Sequence, residues 1–158
     1  MFDVIVQFPK MKVAVKTRDE QVVELRYLPL SSPLVSPKTP LAALAAEQLE
    51  RYRENPDATF DLPVLVQGSP LQRAVWAAMR AIPRGRTRTY GELARELGAD
   101  PRDIGQACGD NRLPIVIPCH RVVAADGIGG FGHSTGGYLL EAKRWLLMHE
   151  APAFELRP

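Results

Sequence analysis

Apolar and polar residues alternate through the first part of the chain. Val4-Ile5-Val6, Val13-Ala14-Val15 and Val22-Val23-Glu24-Leu25 read as three short strands within residues 3–29, with Thr17-Arg18-Asp19-Glu20 as a polar turn between the last two. A loop rich in Pro and Ser follows over residues 29–37, and the period then becomes helical. Thr39 caps this helix, and Pro40 sits in its first turn, where a missing N–H costs nothing. Leu41, Leu44, Ala45, Leu49 and Tyr52 keep the spacing until Asn55-Pro56 stops it. Phe60 to Val66 reads as one more short strand, leading into Gly68.

From Gly68 onward the pattern predicts helices. Ser69-Pro70-Leu71-Gln72 is a capping box opening a helix through Ala81, and Pro83-Arg84-Gly85 breaks it. Thr89-Tyr90-Gly91-Glu92 is a second box, whose short helix ends at Gly98. Asp100-Pro101-Arg102-Asp103 opens a third helix running to about Asn111. Two short helices around a tight turn have the size of a helix-turn-helix. The third helix carries Gly105, Ala107 and Gly109, although glycine costs roughly 1 kcal/mol in a helix. Such bareness suits tight packing against a core, or the close approach of a nucleic-acid strand. Ile115-Val116-Ile117 reads as a buried strand ended by Pro118, which places Cys119-His120-Arg121 just past the strand end. The expected fold class is α+β, with a sheet-plus-helix lobe over 1–67 and a helical lobe over 68–158.

Composition narrows the function classes. At 158 residues, 46% apolar and 24% charged, the chain suits one core or two small lobes. It has no apolar run long enough to span a bilayer, and Met1-Phe2-Asp3 lacks the start of a signal peptide. No membrane partner is expected, and the cytoplasm is the expected compartment. The two cysteines, Cys108 and Cys119, are then read as reduced. The first hundred residues hold neither Cys nor His, so no structural metal is expected.

A net charge of +2 does not announce nucleic acid, but its distribution is suggestive. Arg73, Arg80, Arg84, Arg86, Arg88, Arg95, Arg102 and Arg112 crowd residues 68–112 without a lysine. Guanidinium suits phosphate because it stays charged and bonds in pairs. A solvated basic surface is the plainer alternative.

Cys119 is the candidate for chemistry. A thiol attacks only as thiolate, which needs nearby positive charge, a base or a helix N-terminus. His120 and Arg121 are the next two residues, and Glu150 could orient the imidazole. Adjacent side chains usually point apart, so His120 would act through a water. Spacing alone leaves a buried, inert cysteine open. Cys108 reads as a small packing residue, and Trp76 and Trp145 as core.

The run Pro118-Cys119-His120-Arg121-Val122-Val123 resembles the signature of the O6-alkylguanine-DNA alkyltransferases, also called methylated-DNA–protein-cysteine methyltransferases. The resemblance spans Gly68 to Glu150. It takes in Gly-x-Pro-Leu-Gln-x-x-Val-Trp from Gly68, Thr89-Tyr90-Gly91-Glu92-Leu93-Ala94, Arg102 with Gly105, Asn111, and Lys143-x-Trp145-Leu146-Leu147-x-His149-Glu150. The first lobe matches only in size and in its strand-then-helix order.

This resemblance implies a ribonuclease-H-like first lobe and a winged-helix-like second lobe. It implies single, irreversible transfer of an alkyl group from O6-alkylguanine in double-stranded DNA to Cys119, with O4-alkylthymine as a second candidate lesion. By the same match His120 is the water-mediated base, Glu150 sets its tautomer, and Asn111 braces the turn beside the site. Tyr90 presses on the target phosphate and contacts the flipped base, while Arg102 enters the vacated stack. Gly105 and Arg121 fall on the expected DNA-binding side. The carbonyls of Cys119 and Val122 accept from guanine's amino group. No cofactor is implied, since the thiol is consumed, and a monomer is expected.

The stretch from Ile128 to Tyr138 is longer than the family's usual loop. Phe131 stands near its usual tyrosine, and Ser134, with His133 behind it, is the expected donor to O6. Gly132-His133-Ser134-Thr135-Gly136 also fits the nucleophile elbow of serine hydrolases, but no strand precedes it. Two other readings are a non-catalytic relative that only recognises alkylated bases, in which the cysteine is generally replaced, and a transcription regulator using the helix-turn-helix alone.

Overall fold

The computed structural model describes residues 1–130 and 137–151. The chain divides into two compact units, Met1–Val66 and Gln67–Pro158. Its architecture is mixed, with a small antiparallel sheet and several helices.

In the first unit β1 (Val4–Gln7), β2 (Lys12–Arg18) and β3 (Gln21–Leu28) form an antiparallel sheet in sequence order. Val4 pairs with Val15 and Lys12 with Leu28. Asp19 and Glu20 both take left-handed φ, 52° and 62°, as a tight hairpin turn with the strands' own twist requires. Helix α1 (Pro40–Glu54) packs on β1 and β2, capped by the Thr39 hydroxyl accepting from the Ala42 N–H. Its buried stripe runs through Ala42, Ala45, Ala46, Leu49 and Tyr52, whereas Leu44 is exposed. Alanine, with no side chain beyond Cβ, lets the helix lie close on the sheet. The expected strand over Phe60–Val66 reduces to one bridge, Val22 with Val64. Pro63 has no N–H to extend a ladder, and only its carbonyl is used, accepting from Val22 at 2.8 Å.

The second unit contains α2 (Pro70–Arg80), β4 (Arg88–Thr89), α3 (Tyr90–Leu97), α4 (Pro101–Gly109), β5 (Val122–Val123) and α5 (Gly137–Glu150). Both capping boxes form, Ser69 with Gln72 and Thr89 with Glu92. Gly98 ends α3 in the left-handed region, φ 63°. Indole Nε1 of Trp76 donates to the Ala107 carbonyl at 2.9 Å, which ties α2 to α4. Val75, Met79, Leu93, Ile104, Ile117 and Leu146 are buried in this unit.

Two features of this unit depart from the sequence reading. Ile115-Val116-Ile117 is not a strand: Ile115 sits at φ +73° within a turn from Leu113 to Ile117. Left-handed backbone is uncommon for a β-branched residue. Asn111 holds the turn from outside, its Oδ1 accepting from Leu113 N and its Nδ2 donating to Ile117 O, both at 2.9 Å. The second feature is a parallel pairing of β4 with β5, Arg88 opposite Val122 and Thr89 opposite Val123. It brings Tyr90, the first residue of α3, to the segment that follows Cys119.

Candidate active site

Cys119 opens a single 3-10 turn, Cys119–Arg121, between Pro118 and β5. The residue is 5% exposed, so access to its sulfur is narrow. Burial pushes the thiol's proton affinity up. Opposing it are a hydrogen bond from the Asn111 side chain, the charge of Lys143, and the backbone N–H groups of Cys119 and His120. Such donors stabilise sulfur far more as anion than as thiol.

His120 is fully buried. Its Nε2 lies 3.0 Å from Glu150 Oε2 but outside good hydrogen-bond alignment. Among the described residues its Nδ1 has no protein hydrogen-bond partner. Burial lowers its proton affinity and the Glu150 carboxylate works against that; the net shift is downward. The imidazole is therefore neutral at pH 7 and able to accept a proton.

Glu150 ends α5 with its side chain 2% exposed. Burial opposes its ionisation, but contacts with His120 and Arg121 outweigh that and hold the carboxyl well below the usual range. Arg121 grips it at both oxygens, Nε to Oε1 at 3.0 Å and Nη2 to Oε2 at 2.9 Å. Its remaining nitrogen, Nη1, donates to the Ile82 carbonyl at 2.7 Å. Arg121 was expected on the DNA side; instead it is buried, its guanidinium turned inward on Glu150 and Ile82. The reason is electrostatic, since a carboxylate this deep needs a cation.

Tyr90 is partly buried, and its hydroxyl reaches the Gly130 carbonyl at 3.4 Å. Gly129 packs against that ring: a Cβ there would stand 3.1 Å from Cε2, and its φ of +75° suits glycine. The Val122 carbonyl accepts from Lys143 at 2.8 Å, and the Cys119 carbonyl accepts from the Val122 N–H. Arg102 stands apart, its side chain 95% exposed near the start of α4. Gly105 is on the same helix, and a Cβ there would meet nothing within 4 Å among the described residues outside that helix's backbone. Helix packing therefore does not explain that glycine. Cys108 is partly exposed rather than fully buried, and Trp76 is buried while Trp145 is only partly so. Phe131, His133 and Ser134 lie outside the described residues.

Lys143 received no role from the sequence. It is fully buried on α5, its Nζ donating to the carbonyls of Val122 at 2.8 Å and Gly130 at 3.0 Å. The same ammonium lies 5.8 Å from the Tyr90 ring centroid. A signal was available: helical spacing puts Lys143 on the face of Leu146, Leu147 and Glu150. A lysine on a core-facing stripe is almost never buried without partners.

The buried thiol of Cys119, the imidazole of His120 and the anchored Glu150 carboxylate stand together at the 3-10 turn. Residues 70–152 match the family described as 6-O-methylguanine DNA methyltransferase, DNA binding domain. That stretch is more than half of the chain, and the chain belongs to this family. A methylated-DNA–protein-cysteine methyltransferase of Mycolicibacterium paratuberculosis is 44% identical over 109 residues, a stretch covering 67% of this chain and 63% of that relative, just under two thirds of its length. A solved Mycobacterium tuberculosis O6-methylguanine methyltransferase is 30% identical with a TM-score of 0.78, covering 98% of this chain and 96% of that one. The crystal structure of Mycobacterium tuberculosis OGT in complex with DNA gives 31%, a TM-score of 0.74, and coverage of 94% and 92%.

Proposed function

We propose that this protein repairs alkylated DNA by taking the alkyl group from O6-alkylguanine onto Cys119, once per molecule. The observation that carries the reading is the arrangement at one turn: the buried Cys119 is followed by the buried His120, whose Nε2 lies 3.0 Å from the Glu150 carboxylate that Arg121 anchors. In the step itself the sulfur attacks the alkyl carbon. The carbon–oxygen bond breaks, its electron pair stays on the purine, and the thiol's proton passes by way of His120 to the released guanine. The product is a thioether, which has no leaving group for a second exchange.

DNA is the partner on this reading, with the lesion turned out of the stack, because base chemistry inside a duplex is out of reach. Narrow access to Cys119 supports the same idea, since a base must enter the crevice to meet the sulfur. The pair α3 and α4, joined at Gly98, would be the helix-turn-helix of a winged-helix-like lobe, and the first unit the ribonuclease-H-like one. Gly105, bare and facing open space, would let a strand approach α4 closely. A monomer in the cytoplasm, acting without a cofactor, completes the reading. The test is direct: incubation with an oligonucleotide carrying O6-methylguanine should add one methyl-sized mass per chain, located on Cys119. An unchanged mass overturns the proposal.

Arg102 is the residue to fill the gap a flipped nucleotide leaves, as side chains wedged between base steps do. Its full exposure and its place near the start of α4 suit that role. Arg102→Ala is expected to slow transfer from duplex DNA by about tenfold or more, equivalent to at least about 1.4 kcal/mol of the flipping cost left unaided. Reaction with the free modified base should be unchanged. Equal losses on both substrates would remove Arg102 from the flipping step.

A further inference from the structure

Helix α4 presents one nearly bare face. At about 100° per residue, Arg102, Gly105, Gln106 and Gly109 fall within a single stripe of it. Arg102 and Gln106 are exposed and the two glycines half-buried, so two side chains alone stand out from this stripe. Ile104 and Ala107, on the other side, are buried. Arginine brings charge to a phosphate backbone, whereas the neutral amide of Gln106 adds nothing to that attraction. What an exposed amide can do is read hydrogen bonds.

The direction of that amide is set by its own helix. Gln106 Nε2 donates to Asp110 Oδ1 at 3.5 Å, and Asp110 is held in turn by Gln72, whose Nε2 donates to Oδ2 at 3.1 Å. Gln72 belongs to the α2 capping box, its Oε1 accepting from Ser69 N at 2.9 Å. A carboxylate can only accept, so it draws the amide nitrogen of Gln106 toward itself and turns Oε1 away. Among the described residues nothing donates to that oxygen.

Resting on the repair reading above, we infer that Gln106 is a specificity-determining residue that reads a base pair beside the lesion: its Oε1 accepts from a guanine amino group in the minor groove, so lesions with a G·C pair there are repaired fastest. With Arg102 in the gap of a flipped nucleotide, the stripe faces base edges. Side chains wedged between base steps enter from the minor groove. That groove is about 6 Å wide and admits a helix only by a face with little on it. Gly105 supplies such a face, since a Cβ there would meet nothing within 4 Å among the described residues outside its helix's backbone. Gln106 lies four residues beyond Arg102, about 6 Å along the axis. This is less than two base-pair steps of about 3.4 Å. In the minor groove the guanine amino group is the one donor, and the other edge atoms accept. A carbonyl oxygen turned outward therefore finds a partner at G·C and none at A·T.

The test compares duplexes that differ only in the two pairs on either side of O6-methylguanine, following adduct formation on Cys119 by mass spectrometry under single-turnover conditions. Wild type should react about three- to tenfold faster when one flanking position is G·C, the worth of one hydrogen bond. Inosine in place of that guanine removes the amino group and should cancel the gain. Replacing adenine by 2,6-diaminopurine adds the group to an A·T pair and should confer it. Both changes run against pair strength, since inosine loosens the duplex and diaminopurine tightens it, so easier flipping cannot mimic the pattern. Gln106→Ala should level the rates across sequences and leave reaction with the free modified base unchanged. Equal wild-type rates in all contexts, or a guanine preference that survives inosine or Gln106→Ala, overturn the inference and leave the repair reading standing. No transfer from any duplex overturns that reading, and the inference with it.

Discussion

Cys119→Ser should bind alkylated duplex DNA as the wild type does and gain no mass from it. A serine hydroxyl offers almost no anion at neutral pH, and the surroundings of residue 119 cannot make up the difference. Burial already works against ionising the native thiol, which is a far stronger acid than an alcohol. Loss of the nucleophile is expected to lower the transfer rate by at least about 10³-fold, as in other enzymes whose attacking atom is removed. The fold should hardly notice. Asn111 and the two backbone N–H groups that meet the sulfur are hydrogen-bond donors equally suited to an oxygen. Retained binding in a mobility shift, with no methyl adduct by mass spectrometry, checks both halves. A methyl group found on Cys108 of this variant would move the acceptor one helix away and contradict the proposed site.

Glu150→Ala should be the most damaging change to stability. It strands Arg121, whose Nε and Nη2 both bond the carboxylate, and His120 beside it, in a place with little water. Removing one partner of a buried ion pair costs roughly 3–5 kcal/mol, mainly because the remaining charge is left uncompensated. Urea unfolding should show that loss. Alkyl transfer should also slow by about 10²–10⁴-fold, the usual worth of a positioned acid–base pair. The pH dependence carries its own sign. A carboxyl held below its unfolded value contributes stability above that value, and the contribution is lost as pH falls toward the folded one. The wild type should therefore weaken steadily below about pH 4, the reference carboxyl range, while Glu150→Ala shows a shallower slope there. An equal acid slope in both would place the carboxylate's stabilising role elsewhere.

The helices were legible because their ends are written in local chemistry. Thr39, Ser69, Thr89 and Asp100 each cap a helix where expected, since a side-chain oxygen accepting a nearby backbone N–H depends on only a few residues. What escaped was decided by hydrogen bonds and pairings that no apolar–polar pattern records. The apolar triplet Ile115-Val116-Ile117 has strand composition, yet Asn111 claims the backbone of both Leu113 and Ile117 and turns it back. The pairing of Arg88-Thr89 with Val122-Val123 joins segments over thirty residues apart, and no local pattern announces it. At the site, Cys119, His120 and Glu150 could be named as a set, but the direction of Arg121 could not. Its position next to the cysteine suggests an outward arginine; only the fold reveals the carboxylate waiting inside. Lys143 was visible as a letter in a motif and hidden as a buried charge, because lysine is normally read as surface.

The empty space outside Gly105 bears on how variants of this protein will be judged. Among the described residues outside its own helix backbone, nothing lies within 4 Å of where a side chain would begin, so an alanine there would meet no neighbouring side chain. Expression yield would pass it, and melting temperature would even favour it, since alanine is preferred to glycine in a helix by up to about 1 kcal/mol. Only a docked macromolecule could feel the added bulk, so a screen run without one is blind to the position by construction.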